Sequence, residues 1–209
     1  MSDVVIARSS TGVRKWRWHT ELGSYGEDVT TMVTRSAEDE GILGFHEPLT
    51  TAEKATFCGD LEHKLLSGSD CLLLGSDDDG VVGMCIVSLT AMPNCRHIAD
   101  VSKAYLEPRV RRTTAISEIA WAVCGLTREL GVETLKIDVR EDSPAHRVWR
   151  RFGFTTYGIL DDYSRVDGVS HRGHFMSHSV ERLAEFIDER LRRAGVVMEQ
   201  RRLDDVAFA

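Results

Sequence analysis

No stretch of this chain is apolar for anything near the ~20 residues that a membrane-spanning helix needs, and the opening MSDVVIARSS has no hydrophobic centre of a secretion signal. Cysteine is scarce and scattered. The five residues Cys58, Cys71, Cys85, Cys95 and Cys124 are odd in number and form no C-x-x-C pair, which argues against a disulfide framework or a thiolate zinc site and reads as reduced thiols. Positive charge is also short: 26 Lys and Arg face 33 Asp and Glu, for a net charge of -7. Such a chain does not coat nucleic acid, though a local basic patch stays compatible with it. Neither an internal repeat nor a low-complexity linker is visible. These absences lead to the expectation of a cytoplasmic protein with no membrane partner and no metal.

What is present is ordinary globular composition, with 42% hydrophobic and 28% charged residues over 209 positions, enough for one substantial core. VVIA (4–7) is a short apolar run, and RKWRWHTELGSYG (14–26) reads as an irregular entry loop. Two helices follow, over 26–41 and 51–68. CLLLGSDDDGVVGMCIVSL reads as a hairpin turning at SDDDG, and HIADVSKAYL (97–106) as a strand that ends before Pro108.

From Thr113 the period becomes helical. Ala115, Ile119, Ala122, Val123, Leu126 and Leu130 share one face, with Glu118, Arg128 and Glu129 pointing elsewhere, and Gly131 is placed as a C-terminal cap. TLKIDVR (134–140) is a strand. SPAHRVWRRFGF carries full helix punctuation: Ser143 as N-cap, Pro144 in the first turn, Gly153 past the end. Its apolar stripe is Ala145, Val148, Trp149 and Phe152, and its polar side His146, Arg147, Arg150 and Arg151. TTYGIL and GHFMSH are extended, and SVERLAEFIDERLRRAG (179–195) is an amphipathic helix. The order gives a mixed α/β (α+β) domain around a right-handed βαβ unit, with ligands expected where the helix starting near 113 meets the end of the preceding strand.

The stretch RVRRTTAISEI (109–119) sits at that junction, with three arginines in four residues and no glycine. Together with the strand HIADVSKAYL before it, EDSPAHRVWRRFGF and YGILDDYSRVDG after it, it resembles the GNAT acyltransferase superfamily over about residues 80–178, and within it the small-molecule, resistance-type enzymes. The resemblance implies a single GNAT-like domain over 1–178 with a C-terminal helical extension over 179–209. It implies an N-acyltransferase that uses acetyl-CoA or another acyl-CoA on the amine of a small molecule in specialised-metabolite biosynthesis or resistance. The superfamily's pyrophosphate loop, [Q/R]-x-x-G-x-[G/A], falls on Arg111, Arg112, Thr113, Thr114, Ala115 and Ile116, so Thr114 and Ile116 stand where glycine or alanine belongs. Threonine keeps its backbone N–H and adds a hydroxyl donor, while its Cβ narrows the approach.

By the same resemblance the backbone at Tyr105 and Leu106, if bulged, holds the coenzyme arm and polarises the acyl carbonyl. Asp142 takes the asparagine position and Trp149 the tyrosine position of N-x-x-A-x-x-x-Y-x-x-x-G-F. An indole N–H is no acid, so Trp149 reads as packing. Asp100 is the first choice of base, with Glu107 in reserve. Water or Tyr163 assists the departing thiolate, and Tyr163 with His171 or His174 lies on the acceptor side. Two alternatives stay open: an aminoacyl-tRNA donor met by the arginines at 109–112 and 147–151, and a non-catalytic module that binds a ligand or partner. A homodimer is also open, since the C-terminal helix either caps its own core or pairs with a second subunit.

Overall fold

A computed structural model describes residues 3–10, 12–39, 43–45 and 47–202. The end of the helix expected over 26–41 and residues 203–209 of the expected extension fall partly or wholly outside them. Nine strands form one sheet: β1 (Asp3–Ser9), β2 (Gly12–His19), β3 (Asp70–Asp77), β4 (Gly80–Leu89), β5 (Ile98–Leu106), β6 (Thr134–Arg140), β7 (Thr155–Val166), β8 (Val169–Ser179) and β9 (Val197–Arg202). Their order is β7-β8-β6-β5-β4-β3-β2-β1-β9. Among these neighbours only β5 and β6 run parallel, joined by the crossover helix α3.

The helices are α1 (Gly26–Glu38), α2 (Thr51–Leu66), α3 (Ala115–Glu129), α4 (Pro144–Arg151) and α5 (Val180–Arg193). α2 starts in a capping box, with the Thr50 side chain and Glu53 exchanging bonds with each other's backbone N–H. Ser143 caps α4, accepting from the His146 N–H at 3.1 Å, and Gly153 follows its end at φ +91°. No helix among the described residues is long and apolar enough to cross a membrane.

The sheet has a core on each face. α3, α4 and α5 cover one with Ile119, Val123, Leu183 and Ile187. α1 and α2 cover the other with Val29, Met32, Leu61 and Leu65. Three expectations are corrected here. The Trp-rich entry segment is strand β2 instead of a loop: Arg14, Trp16 and Trp18 alternate inward while their neighbours stay exposed. Glu118 does not point away from the core, because it is fully buried. His146 is not on a solvated side either; it is 5% exposed and lies against β8.

The C-terminal region likewise holds more than a helix. α5 lays Val180, Leu183, Ala184, Ile187 and Leu191 against the core of its own chain. β9 then pairs with β1 from Asp3↔Arg202 to Arg8↔Val197 and extends the same sheet.

Candidate active site

β5 and β6 pair through Ile98↔Thr134, Ala99↔Leu135 and Asp100↔Lys136 and then part. The gap opens into a cleft of about 450 Å³, walled by Val101–Ala104 of β5, Ile137–Arg140 of β6, Ala145 and Trp149 of α4, and Tyr163 to Arg165 of β7. The parting coincides with a bulge in β5. Met84 faces Tyr105 and Ile86 faces Ser102, so the register shifts at Lys103, which takes φ +51°. A bulge leaves its extra residue out of the ladder and bends the strand. The bulge expected near Tyr105 and Leu106 therefore lies two residues earlier than Tyr105. Just beyond it, where Gly83 pairs with Leu106, glycine is needed: a Cβ there would come within 2.6 Å of the Tyr105 carbonyl oxygen.

Each wall has two faces. Leu135, Ile137 and Val139 belong to the α3–α4 core, so Lys136 and Asp138 point to the α1–α2 face. Tyr163 reaches Asp138 on that face from two strands away and donates its phenol proton to the carboxylate. Two local features make this crossing. Between Leu160↔Gly173 and Ser164↔His171 the β7 register slips, which throws Tyr163 out of the ladder. Gly173 then leaves the space its ring occupies, since a Cβ there would sit 2.1 Å from the Tyr163 ring. Burial first, and then the Asp138 bond, push the Tyr163 phenol well above its ordinary pKa, so it stays protonated at neutral pH.

Lys103 completes this face of the cleft. Its Nζ donates to the Leu43 carbonyl at 2.6 Å and lies 5.5 Å from the centre of the Phe45 ring. Burial lowers its proton affinity, and the Asp138 charge opposes that shift. The sequence reading passed over Lys103, Asp138 and Gly173. A glycine inside an extended segment was the available signal.

Of the residues singled out by sequence, the cleft gathers Tyr163 and Trp149. Trp149 packs edge-on against Phe152 and Phe154 at 6.1 and 5.1 Å, so it is both core and cleft wall. Asp100 lies below the parting point, ion-paired to Lys136 at 3.1 Å. Glu107 is buried and bound to Arg35 at 2.7 Å. His171 pairs with Ser164 along the β7–β8 hairpin.

His174 faces α4 instead of the Asp138 side, because its partner Val139 does. It stacks on His146 at 4.4 Å and meets Glu141 at 2.9 Å. That bond holds the Glu141 carboxyl below its usual range. Asp142 takes φ +60°, a conformation open to Asn and Asp through their short polar side chains. Its N–H donates to His146 Nδ1 at 3.2 Å.

The arginine-rich loop is largely occupied with its own chain. Arg109 forks onto Asp77 at 2.6 and 2.7 Å. Arg111 holds Asp39 at 2.6 Å and the Leu106 carbonyl at 2.9 Å. The Thr113 hydroxyl donates to the Val110 carbonyl at 2.6 Å and accepts from the Ala115 N–H at 3.2 Å. The Thr114 hydroxyl donates to Glu118 at 2.7 Å. Neither hydroxyl is the spare donor that the sequence suggested.

The left-handed turn that glycine would make falls on Arg112, at φ +62°, a strain of about 1–3 kcal/mol for a residue with a side chain. Ile116 packs against the core. From the other side, α5 brings Arg190 and Arg193 to the wall beside Thr114, and Arg190 donates to Ser117 at 3.0 Å.

Below this loop lies a buried polar cluster. Glu118 accepts from Arg14 at 2.8 and 2.5 Å, from Trp16 at 2.9 Å and from Thr114. Burial pushes the Glu118 carboxyl up, but these donors outweigh it and hold the group below its usual range. The cluster ties β2 to the first turn of α3. Among the described residues no group of three or more His, Cys, Asp or Glu is arranged to hold a metal ion.

A sheet with one parallel pair that parts over a cleft, a bulged strand at the parting and a helix starting beside it define the GNAT acyltransferase fold, and the chain has that fold. No family model and no curated protein sequence matches it. Among solved structures it is similar to Mycobacterium smegmatis RimJ in complex with CoA-disulfide, at 18% identity over 92% of this chain and 94% of that one, with a TM-score of 0.69. RimL, a ribosomal L7/L12 alpha-N-protein acetyltransferase, is 17% identical over 84% and 94% with a TM-score of 0.66. An acetyltransferase of the GNAT family from Streptococcus pneumoniae is 13% identical over 84% and 98% with a TM-score of 0.62.

Proposed function

We propose that the protein is an N-acyltransferase that moves an acyl group, acetyl by default, from a coenzyme A thioester to an amine held in the β5–β6 cleft. The observation that carries this reading is the Tyr163–Asp138 pair, held across the gap on the face opposite α4. Residues suited to the donor line the other face. The β5 edge from Val101 to Ala104 and the wall of Ala145 and Trp149 fit a thin apolar arm. The start of α3, with Arg112 in its left-handed turn and Arg190 nearby, fits a phosphate group.

Bound there, the thioester supplies an activated acyl carbon and a thiolate leaving group. The residues supply the rest. Asp138 accepts a proton from the incoming ammonium, leaving the lone pair that attack requires. Tyr163 orients that carboxylate through one hydrogen bond and leaves acceptor capacity for the amine. We place the base at Asp138 in preference to Asp100, whose partner is Lys136 and whose position lies below the cleft.

RimL acts at a protein α-amine by its name, and this supports a second reading in which the acceptor is a protein N-terminus and not a small molecule. An RNA-borne donor is disfavoured, since Arg109 and Arg111 are already neutralised by Asp77 and Asp39. Calorimetry with acetyl-CoA tests the donor: binding below millimolar is expected, and no heat up to millimolar removes it. Thiol release on adding amines then tests transfer.

A further inference from the structure

We propose that the acceptor is a zwitterion, an amine with a carboxylate one or two carbons away as in a free α-amino acid, and that Lys103 reads the carboxylate. This rests on the acyl-transfer reading and names the substrate class of the same cleft.

The inference comes from two charges of the cleft that have no ion-pair partner among the described residues, although each feels the other's field. Arg165 on the cleft wall is bound by Asp162, and Lys136 below it is bound by Asp100. Lys103 differs. Among the described residues its ammonium has one hydrogen-bond acceptor, the Leu43 carbonyl, and no carboxylate within ion-pair distance. An ammonium carries three donors, so two remain for a ligand.

Asp138, on the facing strand, is the mirror case. Among the described residues it accepts from Tyr163 and has no cation within ion-pair distance. A cation and an anion, each without an ion-pair partner among the described residues, therefore face each other across a gap whose strands parted two residues earlier on β6 and three on β5.

Each of the two charges keeps hydrogen-bonding capacity that a ligand group of the opposite sign can fill. The complementary ligand carries both signs. Its ammonium lies at Asp138, where the proton must leave, and its carboxylate at Lys103. The bulge sets the Lys103 backbone, and the Leu43 carbonyl at 2.6 Å holds its ammonium at the cleft. A peptide N-terminus has the same amine but an amide in place of the carboxylate, so this pairing separates free amino acids from protein substrates.

The test uses α-amino acids and their carboxamides, as matched pools, on the whole protein and on Lys103→Met and Lys103→Arg. Thiol release with acetyl-CoA is measured for each pool, and NMR of ¹³Cε-labelled lysine follows Lys103 with no donor present. Acids are expected to be used in preference to amides. In Lys103→Met that preference falls by about 10- to 100-fold, the loss of one hydrogen-bonded charge pair, while Lys103→Arg retains most of it. In the donor-free experiment, acids and not amides shift the Lys103 signal.

Equal use of acids and amides by the wild type overturns the proposal and leaves acyl transfer standing, and so does an unaltered preference in Lys103→Met. An absent shift with acids overturns it whatever transfer shows. A Lys103 shift with acids but no thiol release from any amine supports the zwitterion site and defeats the acyltransferase reading instead.

Discussion

Beneath the first turn of α3 one carboxylate, Glu118, is fully buried and accepts bonds from Arg14, Trp16 and Thr114. Across the cleft another, Asp138, is exposed and accepts from Tyr163. The functional group is the same and the roles are opposite. Glu118 has its acceptor capacity filled from within, so it fixes where α3 begins and has nothing left for a ligand. Asp138 keeps capacity in reserve at a site that water and substrate reach. A carboxylate satisfied by its own chain holds the fold, and one left partly unsatisfied on a rigid wall is available for chemistry.

Breaking the buried side gives the largest expected effect. Glu118→Ala leaves the Arg14 guanidinium buried without its partner and lowers stability by about 3–5 kcal/mol, read by urea unfolding. Glu118 also imposes a pH dependence. Its folded-state pKa is lowered, so its contribution is complete above the ordinary carboxylate value of about 4.3 and is lost as pH falls through the folded value. Glu118→Gln removes that part of the acid slope; an unchanged slope assigns it to other carboxylates.

On the cleft side, Asp138→Asn lowers turnover by about 10²- to 10⁴-fold with little change in unfolding midpoint. Undiminished turnover at saturating amine takes Asp138 out of the mechanism. Gly173→Ala touches neither reactant but displaces the Tyr163 ring, and a misplacement of ~1 Å is worth about 10²-fold in rate. The expected signature is a fall in turnover with the amine's KM less affected. The smallest effect belongs to Asp100→Asn. Its partner Lys136 forms a half-exposed pair with it, worth about 0–1 kcal/mol, and turnover is expected to stay within about twofold by the thiol assay. A large loss there would return Asp100 to the centre of the chemistry.

Much of the frame was legible because it is written in local periods and punctuation. The hairpin at SDDDG, the strand before Pro108, the stripe of α3 and the Ser143-Pro144 start of α4 all signal themselves within a few residues. Strand β2 was misread because arginines and lysine disguised its alternation, and only Trp16 and Trp18 kept the period. The partners that matter most are not neighbours in sequence. Arg14 needs Glu118, and Tyr163 needs both Asp138 and the empty space at Gly173. Similarly, nothing in RVRR discloses that Asp77 and Asp39 occupy two of its arginines. Charge counting locates a basic loop, but long-range packing decides which of its charges are free.

β9 extends the sheet beyond β1, joining residues 197–202 to residues 3–8. During synthesis β1 must wait for β9 before that pairing can form. At about 5–20 residues per second the wait is on the order of ten seconds or more. Until then β1 presents an unpaired edge, with Val4, Val5, Ile6 and Ala7, all buried in the finished molecule, open to other chains. The hazard of misassembly on the ribosome is therefore concentrated at this seam, well away from the cleft.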